Sequence, residues 1–342
     1  MKKISVVILN WNGKELMEKF LPSVIEYSPE NIAEIVVADN GSTDGSLDML
    51  RKKFPSVRLI EFDKNYGFAE GYNKAINEIE SPYTVLLNSD VEVTERWLQA
   101  PLEILETKPE VAAVQPKILA YNNKDTFEYA GAAGGFIDKY GYPFCRGRIF
   151  DVVEKDNKQY DKPQSIFWAS GACMFIKTEI YKNVGGLDGE FFAHQEEIDL
   201  CWRLKSRGYQ IICVPESVVY HVGGATLNVE SPRKTFLNFR NNLLMLYKNL
   251  LAEDMKHVMR VRCFLDYIAA LKFLVSGHPA NAKAVIDARK EFKKISDNFW
   301  EKRNENLSKC SVRRPKELLG SSLLLNFYLK GIKTFDKIEG KF

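Results

Sequence analysis

The chain has 342 residues, 45% hydrophobic and 27% charged, a balance that excludes a disordered or fibrous protein, and no stretch reaches the roughly 18 apolar residues of a spanning helix. The net charge of +3 hides an asymmetry: residues 1–230 carry 25 Lys+Arg and 34 Asp+Glu, a net of −9, while residues 231–342 carry 23 and 11, a net of +12. A boundary near residue 230 is therefore expected, dividing 1–230 from 231–342, and the basic second part suits an anionic surface such as lipid, nucleic acid or a phosphorylated substrate.

The apolar run of MKKISVVILNWNG stops at Asn10 without the small-residue cleavage site of a secretory signal, so it reads as a buried strand and a cytoplasmic location is expected. From there the first 120 residues alternate. ISVVIL (4–9), EIVVAD (34–39), VRLIEF (57–62) and YTVLLN (83–88) read as strands. KELMEKFLPSVIEY (14–27), SLDMLRKKF (46–54), FAEGYNKAINEI (68–79) and ERWLQAPLEILE (95–106) read as helices. Short continuous apolar strands joined by amphipathic helices specify a mostly parallel α/β sheet. Residues 121–165 lose the pattern and read as an inserted hairpin or mobile loop. SIFWASGACMFIKT (165–178) and YQIICVPESVVYHVGG (209–224) restore it, and everything after 231, including LLGSSLLLNFYLKGIKTF, reads as helix. Six scattered cysteines without a CxxC pair indicate reduced thiols, not a disulfide frame or zinc site.

In parallel α/β sheets ligands sit beyond the carboxyl ends of the strands. Three such ends are polar: Asn10-Trp11-Asn12-Gly13, Asp39 to Gly45, and Asn88-Ser89-Asp90. There is no GxxxxGK[ST] and no GxGxxG after the first strand, which excludes a P-loop and argues against a dinucleotide fold. Asp39 has two readings: a turn with Ser46 capping the next helix, or a carboxylate that accepts a hydrogen bond from a base or ribose. Asp90 is turn chemistry or an oxygen ligand for Mg²⁺ or Mn²⁺. His221 is a structural strand-end histidine or a completing Mn²⁺ ligand. In FFAHQEEIDLCWRL (191–204) a helix starts near Glu196, with Glu196, Asp199 and Arg203 on one face and Glu197 on the next. Its carboxylates suit a first helical turn, worth about 0.3–1 kcal/mol from the dipole; the alternative is a working acid–base pair.

Taken together and in order, SVVILNWNG, VVADNGSTDGS, NYGFAEGYNKAI, LLNSDVEV, WASGACMFIK, GGLDGEFFAHQEEIDLCWRL and VVYHVGG resemble the family 2 glycosyltransferases, nearest to a bacterial rhamnosyltransferase-like branch. The resemblance covers roughly residues 3 to 225. It implies a GT-A fold and an inverting, single-displacement transfer of sugar from a nucleotide-diphosphate donor to a saccharide or lipid-linked saccharide in cell-surface polysaccharide synthesis. By the same likeness Asn10, Asp39, Asn65, Gly67, Gly71, Asn73, Asn88 and Asp90 bind the donor. Trp168, Gly171 and Asp199 border sugar and acceptor. Asn88 stands where many relatives carry Asp, so metal binding rests on Asp90 and His221. The acceptor motif places the base at Glu197, with Glu196 the alternative. The donor sugar stays open, dTDP-rhamnose being favoured by the branch alone.

The tail segments FLNFRNNLLMLYKNLL and RVRCFLDYIAALKFLV carry apolar stripes between basic residues. They suit packing on the catalytic domain or a second subunit in a homodimer, or a peripheral contact with anionic lipid at the inner membrane face. No nucleic-acid motif is present. The competing reading is a non-catalytic sugar-nucleotide or glycan-binding protein on the same fold; a binder has no use for a base.

Overall fold

A computed structural model describes residues 2–223 and 231–342. The boundary expected near residue 230, and Gly224 of the Gly-Gly pair, lie outside the described residues.

The alternation expected for the first 120 residues is present. Strands β1 (Ile4–Asn10), β2 (Ala33–Asp39), β3 (Arg58–Glu61) and β4 (Tyr83–Leu87) are separated by helices α1 (Lys14–Tyr27), α2 (Ser46–Lys53) and α3 (Gly67–Asn77). Beyond them lie β5 (Val91–Val93), α4 (Gln99–Thr107), β6 (Val111–Ala120) and β7 (Asn123–Phe127). Helix α1 buries Met17, Phe20, Leu21 and Val24, the i, i+3, i+4, i+7 stripe that seats a helix on a sheet. The α2 helix starts at Ser46 itself with Gly45 at its cap position; the Asp44 carboxylate, not the Ser46 side chain, accepts the Ser46 amide at 3.0 Å.

The stretch read as a hairpin or mobile loop is instead folded into short strands: β8 (Gly135–Asp138), β9 (Pro143–Cys145), β10 (Arg148–Ile149), β11 (Val152–Val153) and β12 (Gln164–Ser165). These segments are too short to show a period. They are held by side chains such as Arg146, which is buried and donates to the carbonyls of Ala133, Tyr160 and Lys162. Strand β13 (Cys173–Lys177), α5 (Thr178–Asn183), α6 (Glu196–Ser206) and β14 (Gln210–His221) complete the first part.

The main sheet runs β12-β14-β6-β13-β4-β1-β2-β3, with β5 on β14 and β7 on β6. Strands β3, β2, β1 and β4 are mutually parallel, and β13 is antiparallel to both β4 and β6. Val7, Val36 and Leu86 join the core on one face, while Val6, Ile8, Val37 and Val85 join that on the other, as expected for a sheet covered on both sides.

Past the boundary come α7 (Pro232–Asn249), α8 (Ala252–Val275), α9 (Pro279–Ile295) and α10 (Trp300–Ser308). The last segment is not the expected helix. Leu318–Leu319 forms β15, which pairs with β8 and extends the five-stranded second sheet, and Leu325–Leu329 is one π-helical turn. Asp138 fixes this arrangement by accepting the amides of Tyr140, Tyr142 and Leu323. All six cysteines are unpaired.

Candidate active site

Parallel pairing of β1 and β2 puts Asn10 opposite Asp39. The Asn10 amide donates to Asp39 Oδ1 at 2.9 Å, and Ser42 N donates to Asp39 Oδ2 at 2.9 Å. Asn12 closes the rim through a hydrogen bond from Thr43 N at 2.8 Å. Both Asn10 and Asp39 are buried, so the pair is preset before any ligand arrives. Asn40 then ties the rim to the next segment: its amide donates to Asn65 Oδ1 and Gly67 O, and its carbonyl accepts Tyr66 N.

Gly67 and Gly71 are needed for approach. Gly67 has φ +78°, and a Cβ there would lie 2.5 Å from the Phe192 ring. A Cβ on Gly71 would meet Leu9 and Asn40 at about 3 Å. Asn73 has a different place. Its side chain donates to Leu187 O at 2.7 Å and accepts Leu187 N and Tyr181 OH, so it pins the 181–187 loop under α3.

The third polar end meets β14. Antiparallel pairing sets His221 opposite Val91, which brings His221 Nε2 to 3.1 Å from Asp90 Oδ1 and 3.4 Å from the Asn88 amide. On the other side of the ring, Nδ1 is 3.3 Å from Glu128 Oε1. Burial opposes charge on this imidazole, yet Asp90 and Glu128 outweigh it and raise its pKa to about 10. Burial likewise works against the Asp90 charge, and His221 more than compensates, so its pKa is lowered. Among the described residues no three His, Cys, Asp or Glu side chains form a complete metal site. Once the imidazole gives up its proton, a carboxylate oxygen beside its nitrogen fits a Mn²⁺ or Mg²⁺ that draws its remaining ligands from water and phosphate. Glu128 on Nδ1 is placed as the outer partner that orients a ligating histidine. It had no motif in the sequence and lies in the stretch without periodicity.

Glu196 and Glu197 open α6, directly after a left-handed loop: Phe192, His194 and Gln195 have φ of 64°, 73° and 73°. In each glutamate Oε2 is enclosed without a hydrogen-bond partner. Burial pushes the Glu197 carboxyl up to about 7. Burial and then the neighbouring charge of Glu197 raise Glu196 well above the usual carboxylate range. Two enclosed carboxylate oxygens without a partner are unusual in a folded core, and perturbed groups of this kind cluster at working sites. The pair adjoins the start of α3. A Cβ on Gly171 would be 3.2 Å from Phe68 and 3.9 Å from Glu197 Cβ, and Phe192 O accepts Phe68 N at 2.7 Å.

Two expected pocket residues are held by partners within the fold. Trp168 is buried beneath the second sheet, where its Nε1 donates to Phe136 O at 2.8 Å and its ring covers Gly135. Asp199, one turn along α6 from Glu196, is fully buried and is engaged by Arg203, Lys248 and Asn249 at 2.7–3.0 Å.

A sequence model described as "Glycosyl transferase family 2" matches residues 5–185, more than half of the chain. The chain belongs to glycosyl transferase family 2. Among curated relatives, the N-acetylglucosaminyl-diphospho-decaprenol L-rhamnosyltransferase of Mycobacterium tuberculosis is 25% identical over 236 residues, covering 64% of this chain and 75% of that protein. The low-salt glycan biosynthesis hexosyltransferase Agl10 of Haloferax volcanii is 23% identical over 249 residues, covering 70% and 74%. The chain thus sits beside the rhamnosyltransferase-like branch of the family. Solved structures share its GT-A fold. The mannosyltransferase PcManGT of Pyrobaculum calidifontis, in complex with GDP-Man and Mn²⁺, has a TM-score of 0.52 at 15% identity over 90% of this chain and 84% of its own. S. aureus TarS 1-349 with UDP has 0.53 at 16% identity, over 90% and 89%.

Proposed function

We propose that this glycosyltransferase works by inversion, moving a sugar from a nucleotide-diphosphate donor to a hydroxyl of a saccharide or lipid-linked saccharide in cell-surface polysaccharide synthesis. The observation that carries this reading is the enclosure of one partnerless oxygen on each of Glu196 and Glu197, beside the 65–71 segment. The base, Glu197 by position, takes the acceptor proton. The freed oxygen attacks the anomeric carbon, the bond to the diphosphate breaks with its electron pair, and the products are a glycoside, a nucleoside diphosphate and a protonated glutamate. Asn10 and Asp39 hold the nucleoside, and the 65–71 turn closes over it. Asp90 and His221 would hold a Mn²⁺ or Mg²⁺, which when bound stabilises charge on the leaving diphosphate. dTDP-rhamnose heads the candidate donors because of the relatives named above.

Residues 231–342 form the second functional unit in this proposal, and part of its surface meets an anionic membrane peripherally. Helix α7 is not the contact: Leu237, Leu243, Leu244, Met245 and Leu246 are buried. The outer face of α8 exposes Phe264, Tyr267, Ile268, Leu271, Leu274 and Val275, and the π turn adds Leu325, Tyr328 and Leu329, the last 78% exposed. Lys272 joins the two through Tyr328. After Glu253 and Asp254 in its first turn, the one carboxylate of α8 is Asp266, which is fully buried. An apolar face bordered by lysines and free of exposed carboxylates matches anionic lipid better than a second copy of itself. Among the described residues no helix is long and apolar enough to cross a membrane.

The test is a thermal-shift screen of UDP-, GDP- and dTDP-sugars with Mn²⁺ or Mg²⁺, since a bound ligand stabilises the fold by mass action. Release of nucleoside diphosphate from the stabilising donor follows, with and without chelator. Donor stabilisation without any turnover would favour the binding-protein reading.

A further inference from the structure

The loop that presents Glu196 and Glu197 is unfavourable on its own. Phe192, His194 and Gln195 carry side chains yet sit in the left-handed region, a conformation that persists only when the surroundings over-determine it. What holds it comes from the basic tail. Asn241, fully buried on α7, donates its amide to three carbonyls of this loop: Phe191 at 2.9 Å, Ala193 at 2.8 Å and His194 at 2.8 Å. Two N–H groups thus serve three acceptors. Its neighbours extend the grip. Arg240 donates to the carbonyls of Glu190 and Phe191, and Asn242 donates to Gln195 Oε1 and Gly141 O. Arg262 of α8 in turn donates to Asn242 Oδ1. The remaining carbonyl, that of Phe192, is turned the other way and accepts Phe68 N and Ala69 N at the start of α3. The loop is therefore clasped between the donor-side helix and the tail helix.

We propose that Asn241 is a positioning residue for sugar transfer: by clamping the carbonyls of Phe191, Ala193 and His194 it fixes the left-handed turn that aims Glu196 and Glu197. This rests on the acid–base reading of that pair. A buried asparagine could serve the fold alone, but its three partners all fall within the five residues that precede the working helix. Asn241 donates to neither of the glutamates; it acts through the backbone. The polar run Arg240-Asn241-Asn242 inside an apolar helix was the one signal of it in the sequence.

The experiment uses the full chain and release of nucleoside diphosphate from the donor selected by thermal shift. Asn241→Leu keeps the volume and removes both N–H groups. The expected result is a kcat lower by tenfold to a hundredfold with donor KM within about threefold, because the Asn10–Asp39 rim is untouched. The ascending limb of the pH–rate profile also shifts, as the glutamates leave their enclosure. Arg240→Leu, on a partly exposed side chain, gives a smaller loss in kcat with the same pH shift and decides the matter if Asn241→Leu does not fold. Asn326→Leu, a buried amide serving Ser321, is the control that lowers Tm without moving the pH limb. A folded Asn241→Leu with unchanged kcat, or one whose loss leaves the pH profile in place like the control, overturns the proposal. Glu196→Gln and Glu197→Gln are run alongside. If both keep wild-type turnover, the acid–base reading falls and the clamp with it; if they lose turnover and Asn241→Leu does not, the clamp alone falls.

Discussion

His221 and Asp90 meet at 3.1 Å because β5 folds back on the end of β14, so a residue more than a hundred positions downstream completes the polar end of β4. Glu128 closes the far side of the ring. A metal held here would engage the imidazole nitrogen that now faces Asp90, with Glu128 fixing the ring.

Asp90→Ala is therefore expected to abolish the Mn²⁺-dependent stabilisation seen with a nucleoside diphosphate, and turnover with it. Glu128→Gln should weaken the Mn²⁺ response about tenfold to a hundredfold while leaving the fold intact. Thermal shift across a Mn²⁺ titration reads both; wild-type turnover at full rate in chelator would remove the metal from the mechanism.

Burial raises the Glu197 carboxyl to about 7. As a base it must be ionised, so kcat/KM should climb with pH through about 7 and flatten above it. Glu197→Gln should erase that limb with a loss of about a hundredfold or more. Should Glu196→Gln erase it instead, the proton goes to Glu196.

The same pair sets a stability gradient. The folded pKa of Glu197 lies above its unfolded value, so the folded state holds more protons between about 4.5 and 7. Stability is full below the lower value and falls as pH rises through the upper one. Glu197→Gln should then stabilise the protein by about 2–3 kcal/mol at pH 8 and by little at pH 4. Urea titrations at the two pH values measure this, and equal gains at both would refute it.

Lys248 on α7 donates to both Asp188 and Asp199 at 2.6–2.7 Å, all three buried. Lys248→Met leaves Asp199 with less compensation inside the protein and should cost about 3–5 kcal/mol. Chemical denaturation reads the loss; a change below 1 kcal/mol would mean that Arg203 and Asn249 suffice.

The lipid face makes a separable prediction. Leu271→Asp with Leu329→Asp should release the protein from vesicles containing phosphatidylglycerol without altering donor turnover in solution. Flotation is the readout, and light scattering on the same samples identifies a dimer if these changes split one instead.

The parallel half of the sheet was readable because each strand is a short apolar run ending in polar residues, and those ends became Asn10–Asp39 and Asp90. Glu197 was readable as part of a motif. Glu128 was not, since the strands around it are two to five residues long and are set by pairing and by buried cations such as Arg146. The final segment looked helical by composition, but the open edge of β8 and the amide acceptors of Asp138 recruited it as β15. Trp168 and Asp199 were assigned from the family resemblance, which says nothing of the partners they have here, Phe136 O for one and Arg203, Lys248 and Asn249 for the other. The role of Asn241 was hidden by a helix whose apolar stripe gives no hint of what its polar residues grip.

That grip has a consequence for biosynthesis. Asn241 follows His194 by 47 residues, so a ribosome delivers both glutamates well before it delivers the clasp. On the proposed roles, competence for transfer would then arrive only once α7 is made and docks on the 191–195 loop.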